Sequence, residues 1–335
     1  MSATDRMRAV TVADGKLAFT RDHPRPSPEA SLGEVLVRVE RAGICDTDLQ
    51  LIKGYMNFRG VLGHEFVGVA QSGSYAGRRV AAEINCSCAR CEMCTGGLAN
   101  HCPNRTVLGI LNHDGAFADY IAVPERNLHV VPGEIGVDEA VFIEPLAAAC
   151  QIPRQVPLDK RTRALVLGDG KLGNLVAQVL RNHGCQVLVA GKHPEKLRII
   201  ERLGVGTEQI NQLRRVRNYT LVVDCTGSPT GIATALELVR PRGTIVLKTT
   251  VAHAAELQLA PIVIDEITLV GSRCGPFPIA IEALRAKKVE VAPLIQDIYR
   301  LTDAAQAIEA AGQPGATKIL LAIDESLPSI KRLKP

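Results

Sequence analysis

The sequence predicts an α/β protein in which a doubly wound parallel sheet is joined to a partly open β-barrel with a metal-binding lobe. Three observations predict it. An apolar run from Arg163 to Leu167 feeds the turn Gly168-Asp169-Gly170-Lys171-Leu172-Gly173, after which Leu175, Val176 and Val179 continue at helical spacing. Ahead of it lie many short strand-like runs with Gly and Pro between them. Finally, Cys86, Cys88, Cys91, Cys94 and Cys102 crowd into one stretch.

A chain of 335 residues is long for one core, so two domains are expected. Hydrophobic residues make up 46% and the mean hydropathy is +0.10, which fits a well-buried enzyme. Aromatics are 3% and Trp is absent, so the core must be aliphatic. A net charge of +4 is too mild to imply nucleic acid or a membrane as partner. The basic run Lys331, Arg332, Lys334 reads as a solvated tail. No apolar stretch reaches the ~20 residues of a membrane span, and no hydrophobic signal region opens the chain. Cysteines placed in this way fit metal binding in a reducing cytoplasm better than a disulfide framework, so a cytoplasmic location is expected.

In the first part, Val10, Val12, Leu17 and Phe19 flank Asp14-Gly15, a hairpin signal. Glu34 to Glu40 alternates, with Val35, Val37 and Val39 on the buried face, and leads through a turn at Ala42-Gly43 to Cys45. Val61 to Val69 reads as one further strand. Cys45, His64, Glu65 and Glu144 offer one thiolate, one imidazole and two carboxylates, the ligand types zinc takes. Three such ligands with one exchangeable position make a catalytic zinc site, open to an alcohol or carbonyl oxygen.

The combination Cys45, Gly63-His64-Glu65 and Glu144-Pro145-Leu146 resembles the zinc-dependent medium-chain dehydrogenase/reductase family, over nearly the whole chain. The Glu-Pro-Leu element resembles its polyol and threonine dehydrogenase branch. The resemblance implies a GroES-like catalytic domain over residues 1–147, a Rossmann domain over 148–275 and a return segment over 276–335. It also implies direct zinc ligation by Cys45 and His64, with Glu65 and Glu144 alternating as ligand or holding water. Thr47 matches the position whose hydroxyl accepts the substrate proton, and Asp48 a carboxylate that orients a ligand. Gln50 stands where some relatives carry a proton-relaying histidine, so the proton must leave by another route. A homodimer or homotetramer is the assembly the family implies.

Cys88, Cys91 and Cys94 are spaced by two residues and Cys102 follows after seven. Four thiolates saturate a tetrahedral zinc and leave no open position, so this site is structural, as the family's lobe is. A disulfide-linked loop and a lobe emptied of metal are the competing readings. Cys86 and His101 fall outside the spacing.

In the second part the strand, glycine turn and helix form a dinucleotide fingerprint, with Gly168, Gly170, Lys171, Leu172 and Gly173 beside the pyrophosphate. The next strand ends in Gly191-Lys192-His193, where an NAD enzyme carries Asp or Glu. Glycine makes room and Lys192 and His193 supply donors for a 2′-phosphate, so NADP(H) is expected over NAD(H). Thr226 closes another strand at its carboxyl end and is a further cofactor neighbour. Lys248 is either near the nicotinamide or a surface lysine. The predicted activity is zinc-dependent hydride transfer between NADP(H) and a secondary alcohol or polyol and its ketone, a small-molecule substrate.

Overall fold

The computed structural model describes residues 5–249 and 257–330 in full and Leu333–Lys334 as backbone, so the side chains of the basic tail lie outside the described residues. The chain divides into two compact units, Met1–Glu144 with Ile295–Pro335, and Pro145–Leu294.

In the first unit β1 (Arg6–Ala13) and β2 (Lys16–Pro24) form the expected hairpin, with Ala13 opposite Lys16. Asp14 and Gly15 both take positive φ, +50° and +72°, as a two-residue turn between right-twisted strands requires. Strand β3 (Glu34–Gly43) is the spine of the main sheet. It runs through Ala42 and Gly43, so the expected turn there is absent, and it delivers Cys45 directly to helix α1 (Asp46–Ile52).

The strand expected over Val61 to Val69 is two strands, β4 (Gly60–Val61) and β5 (Glu65–Ala70). Gly63, at φ +97°, breaks it, and a Cβ there would run into the Phe117 ring. The unit continues with β6 (Arg79–Ala82), β7 (Asn85–Cys86), the short α2 (Glu92–Thr95) and β8 (Thr106–Val107). Then come β9 (Tyr120–Pro124), β10 (Leu128–Val130) and α3 (Val137–Ala140). Helix α4 (Ile143–Cys150) carries Glu144 in its first turn and leads out of the unit, and α5 (Ile152–Gln155) follows.

The second unit alternates strand and helix: β11 (Arg163–Leu167), α6 (Lys171–Asn182), β12 (Gln186–Gly191), α7 (Pro194–Arg202), β13 (Gly206–Gln209) and β14 (Tyr219–Asp224). Then come α8 (Gly231–Leu238), β15 (Val239–Leu247), α9 (Ala260–Ile264), β16 (Thr268–Gly271) and α10 (Phe277–Arg285). All pairings are parallel in the order β13-β12-β11-β14-β15-β16. The order reverses between β11 and β14, the switch point where such sheets bind dinucleotides. Leu165, Leu167, Val222, Leu238 and Ile245 form its aliphatic core.

The return to the first unit comes at Ile295, later than the expected 276. Helix α10 buries Phe277, Ala280, Ile281 and Leu284, and the Gln178 amide on α6 both donates to and accepts from the Glu290 backbone, at 2.9 and 2.8 Å. These contacts hold residues 276–294 in the second unit. The chain ends with β17 (Ile295–Arg300), α11 (Ala304–Ala311), β18 (Lys318–Ala322) and β19 (Leu333–Lys334). Strand β18 pairs antiparallel with β3, opposite β5, completing the path β10-β6-β5-β3-β18-β17-β19. Among the described residues no helix is long and apolar enough to cross a membrane.

Candidate metal centre and dinucleotide site

The β3–β5 register sets Gly43 opposite Glu65, which brings the end of one strand and the start of the other to the same place. Cys45 is the N-cap of α1, and its N–H donates to Asp48 Oδ2 at 2.8 Å. The Asp48 Oδ1 atom faces His64 Nδ1 at 3.3 Å, which leaves Nε2 for a metal. The ligand atoms of Cys45, His64 and Glu65 all lie within 4.8 Å of one another. Glu144, the fourth expected ligand, lies outside that group.

Burial opposes charge on both Cys45 and His64, yet their mutual attraction prevails. The thiol falls below its ordinary value beside the imidazolium, and His64 rises well above its own because Asp48 and Cys45 surround it. A half-buried thiol and a buried imidazole whose ligand atoms converge, with Asp48 orienting the ring, fit a zinc ion. Thr47 Oγ1 lies 3.7 Å from the Cys45 sulfur, within the same small space.

One residue here escapes sequence reasoning. Lys318, 1% exposed, points its ammonium at Glu65 Oε2, donates to Ile44 O at 3.3 Å and lies 5.8 Å from the Phe142 ring. A Cβ at Gly43 would come within 2.6 Å of Lys318 Cε, so glycine there admits the lysine. Burial pushes Lys318 down to about 8, against the pull of Cys45, Asp48 and Asp46. The signal was a lone charge heading the apolar run Ile319-Leu320-Leu321-Ala322.

In the second cluster the sulfurs of Cys91 and Cys94 are 3.5 Å apart, Cys91 and Cys102 3.7 Å, Cys88 and Cys102 3.5 Å, and Cys88 and Cys94 4.0 Å. Tetrahedral zinc bonded at ~2.3 Å to each would space them about 3.8 Å apart. A disulfide needs ~2.05 Å, and all ten cysteines are free, so the disulfide reading fails. Cys102→Ser is therefore expected to remove one zinc per chain, by metal analysis, and to open residues 88–102 to protease. Unchanged zinc content would overturn the assignment.

In the second unit α6 begins at Lys171, so its N-terminus opens onto the glycine turn. A Cβ at Gly173 would overlap Gly168 O, whereas Gly170 has no atom within 4 Å of where its Cβ would stand. The first pair is needed for the tight turn, and the open face at Gly170 is the cradle a pyrophosphate fits. Thr226, exposed, donates its hydroxyl to Asp224 Oδ1 at 2.7 Å. Lys248 is not a free surface lysine: its ammonium donates to Ala148 O and Arg273 O at 2.7 and 2.9 Å.

The end of β12 departs from expectation. No carboxylate follows the strand in sequence, yet Asp169 supplies one from the glycine turn. Its Oδ2 accepts the N–H groups of Lys192 and His193 at 2.6 and 2.7 Å, and His193 Nδ1 lies 3.1 Å from Oδ1. The His193 donors expected to await a 2′-phosphate are thus already engaged, while Lys192 keeps an exposed side chain.

Residues 31–133 match the alcohol dehydrogenase GroES-like domain and residues 172–286 the zinc-binding dehydrogenase domain. Fold and sites together define a zinc-binding dehydrogenase architecture. The chain belongs to the zinc-dependent medium-chain dehydrogenase/reductase family. It is 28% identical to a sorbitol dehydrogenase of Halalkalibacterium halodurans, over 89% of this chain and 94% of that one. With a D-arabitol-phosphate dehydrogenase of Enterococcus avium it shares 27% identity, over 88% and 91%. Among solved structures, the rspB alcohol dehydrogenase of Escherichia coli CFT073, complexed with NADH, superposes with TM-score 0.87 at 27% identity, over 95% of this chain and 100% of that one. A zinc-binding dehydrogenase of Sinorhizobium meliloti 1021 bound to NADP gives 0.85 at 26% identity, over 95% and 99%.

Proposed function

We propose that the protein is a zinc-dependent oxidoreductase that moves hydride between a nicotinamide dinucleotide and a secondary alcohol or polyol and its ketone. The observation that carries this is the convergence of Cys45, His64 and Glu65 within 4.8 Å, with Asp48 behind the ring and a hydroxyl alongside. Zinc held there supplies Lewis acidity toward a substrate oxygen. Cys45 and His64 are the permanent ligands in this reading, and Glu65 and Glu144 share the third position. Asp48 fixes His64, and Thr47 takes or returns the substrate's hydroxyl proton. Gly168, Gly170, Lys171, Leu172, Gly173, Gly191 and Thr226 border the dinucleotide. The polyol names among the relatives support a hydroxyl-rich substrate.

The sequence favours NADP(H), and the exposed Lys192 supports it, whereas Asp169, which holds the Lys192 and His193 N–H groups, opposes it. The homodimer or homotetramer implied by the family belongs to the same proposal. It is supported by the edge strand β16 and by the exposed Leu259, Val263 and Ile264 at α9.

The deciding experiment is a panel of sugar alcohols, sugars and simple secondary alcohols, run with both dinucleotides on zinc-loaded protein. Dinucleotide binding with no turnover anywhere would favour a family member that has lost catalysis. Thr47→Val is expected to lower kcat about a hundredfold or more at unchanged zinc content, with Thr47→Ser largely retaining it. A Thr47→Val enzyme as fast as the parent would remove the hydroxyl from the proton path.

A further inference from the structure

We propose that Asp169, lying between the first two glycines of the turn, is the residue that selects the dinucleotide, and that it selects NAD(H) by occupying the place of a 2′-phosphate. The inference rests on the dinucleotide reading above and sharpens it.

The expectation of NADP(H) rests on the end of β12, where the sequence reads Gly191 as space and Lys192 and His193 as donors. The geometry accounts for each of these without a phosphate. A Cβ at Gly191 would overlap Asp169 Oδ2, so the missing side chain makes room for the carboxylate. Two successive N–H groups, at Lys192 and His193, form an anion-binding pair at the start of α7 (Pro194–Arg202), and both donate to that one oxygen. His193 Nδ1 stands 3.1 and 3.2 Å from the two carboxylate oxygens and completes the enclosure. Asp169 is 8% exposed, so its charge is held in place rather than lent to solvent.

An arriving 2′-phosphate carries up to two negative charges and needs those same donors. It would have to expel a buried carboxylate from two charge-assisted hydrogen bonds, or settle beside it unpaired. Lys192 is the exposed cation left to offset this repulsion. A ribose bearing only hydroxyls meets no such barrier. Its O–H groups are donors, and Asp169 Oδ1, which accepts neither backbone N–H and faces one ring nitrogen of His193, keeps a lone pair for them. A carboxylate at the end of the second strand ordinarily does this work. Here it is carried in from the preceding turn, which is why reading β12 alone misses it.

The test measures dissociation constants of NADH and NADPH for the zinc-loaded full chain, by fluorescence titration at one ionic strength. The parent protein is expected to bind NADH at least tenfold more tightly than NADPH. Asp169→Asn, which keeps the shape and removes the charge, is expected to narrow that gap about tenfold, mainly through stronger NADPH binding. The comparison on the parent chain needs no substitution and stands even where the variant fails to fold. NADPH binding as tight as NADH in the parent, or a folded Asp169→Asn variant with an unchanged ratio, would overturn the proposal and leave the dinucleotide reading intact. Binding of neither would overturn both.

Discussion

Cys45→Ala is expected to lower kcat/KM by about a thousandfold or more and to remove one zinc per chain while the four-cysteine zinc stays. A catalytic zinc rests on three protein ligands, and Cys45 is the thiolate among the group Cys45, His64 and Glu65. Losing the Lewis acid costs several kcal/mol of transition-state stabilisation, and ~4 kcal/mol corresponds to a factor of about 10³. The local fold should survive. Cys45 contributes to the start of α1 through its backbone N–H, which donates to Asp48, and alanine keeps that group. Thermal unfolding of the metal-free variant should therefore stay close to that of the metal-free parent. Full turnover by a variant that retains only the four-cysteine zinc would end the case for a metal-dependent reaction at this centre.

The second large effect is on stability. Lys318→Met should destabilise the metal-free protein by about 3–5 kcal/mol in denaturant titration, the usual cost of removing one member of a buried ion pair. The ammonium is 1% exposed against Glu65, itself 2% exposed, with fully buried Asp48 on the same side. Without it, Glu65 keeps an uncompensated charge in a dry place. Two contrasts isolate that cause. Adding Glu65→Gln to Lys318→Met should recover much of the loss, because the stranded carboxylate is gone. Saturating zinc should also recover part of it, since a bound cation supplies charge that the lysine no longer does. A single-variant loss below about 1 kcal/mol would show that Lys318 is not paired as described.

What was legible from sequence is what sits close together along the chain. The Cys88, Cys91, Cys94, Cys102 spacing encodes a tetrahedron almost by itself, because three of its corners lie within seven residues. Asp14-Gly15 announces its hairpin for the same reason: two positive-φ residues suffice. Cys45 and Asp48 share one helical turn, and the β3–β5 register needed only Gly63 to let His64 and Glu65 turn inward. What was not legible depends on distant segments meeting. Lys318 reaches Ile44 across 274 residues, through a pairing of β18 with β3 that no local pattern announces. Asp169 has no role that its local pattern announces, since the direction of its side chain depends on where β12 ends. The division at Ile295 depends on Gln178 gripping Glu290, a contact between side chain and backbone that leaves no periodic trace. Lys248 likewise serves two carbonyls that only the folded sheet brings near it.

The late arrival of β18 sets an order of events during synthesis. At ~5–20 residues per second, the 274 residues between Ile44 and Lys318 take between about 14 and 55 seconds to leave the ribosome. For most of that interval the nascent chain already carries Cys45, His64 and Glu65, while residues 41–43 of β3, beyond the stretch that β9 covers, wait for β18 as an unpaired edge. A polypeptide cut before β18 therefore loses more than a tail: residues 41–43 of β3 lack their partner strand and the Glu65 carboxylate lacks its ammonium.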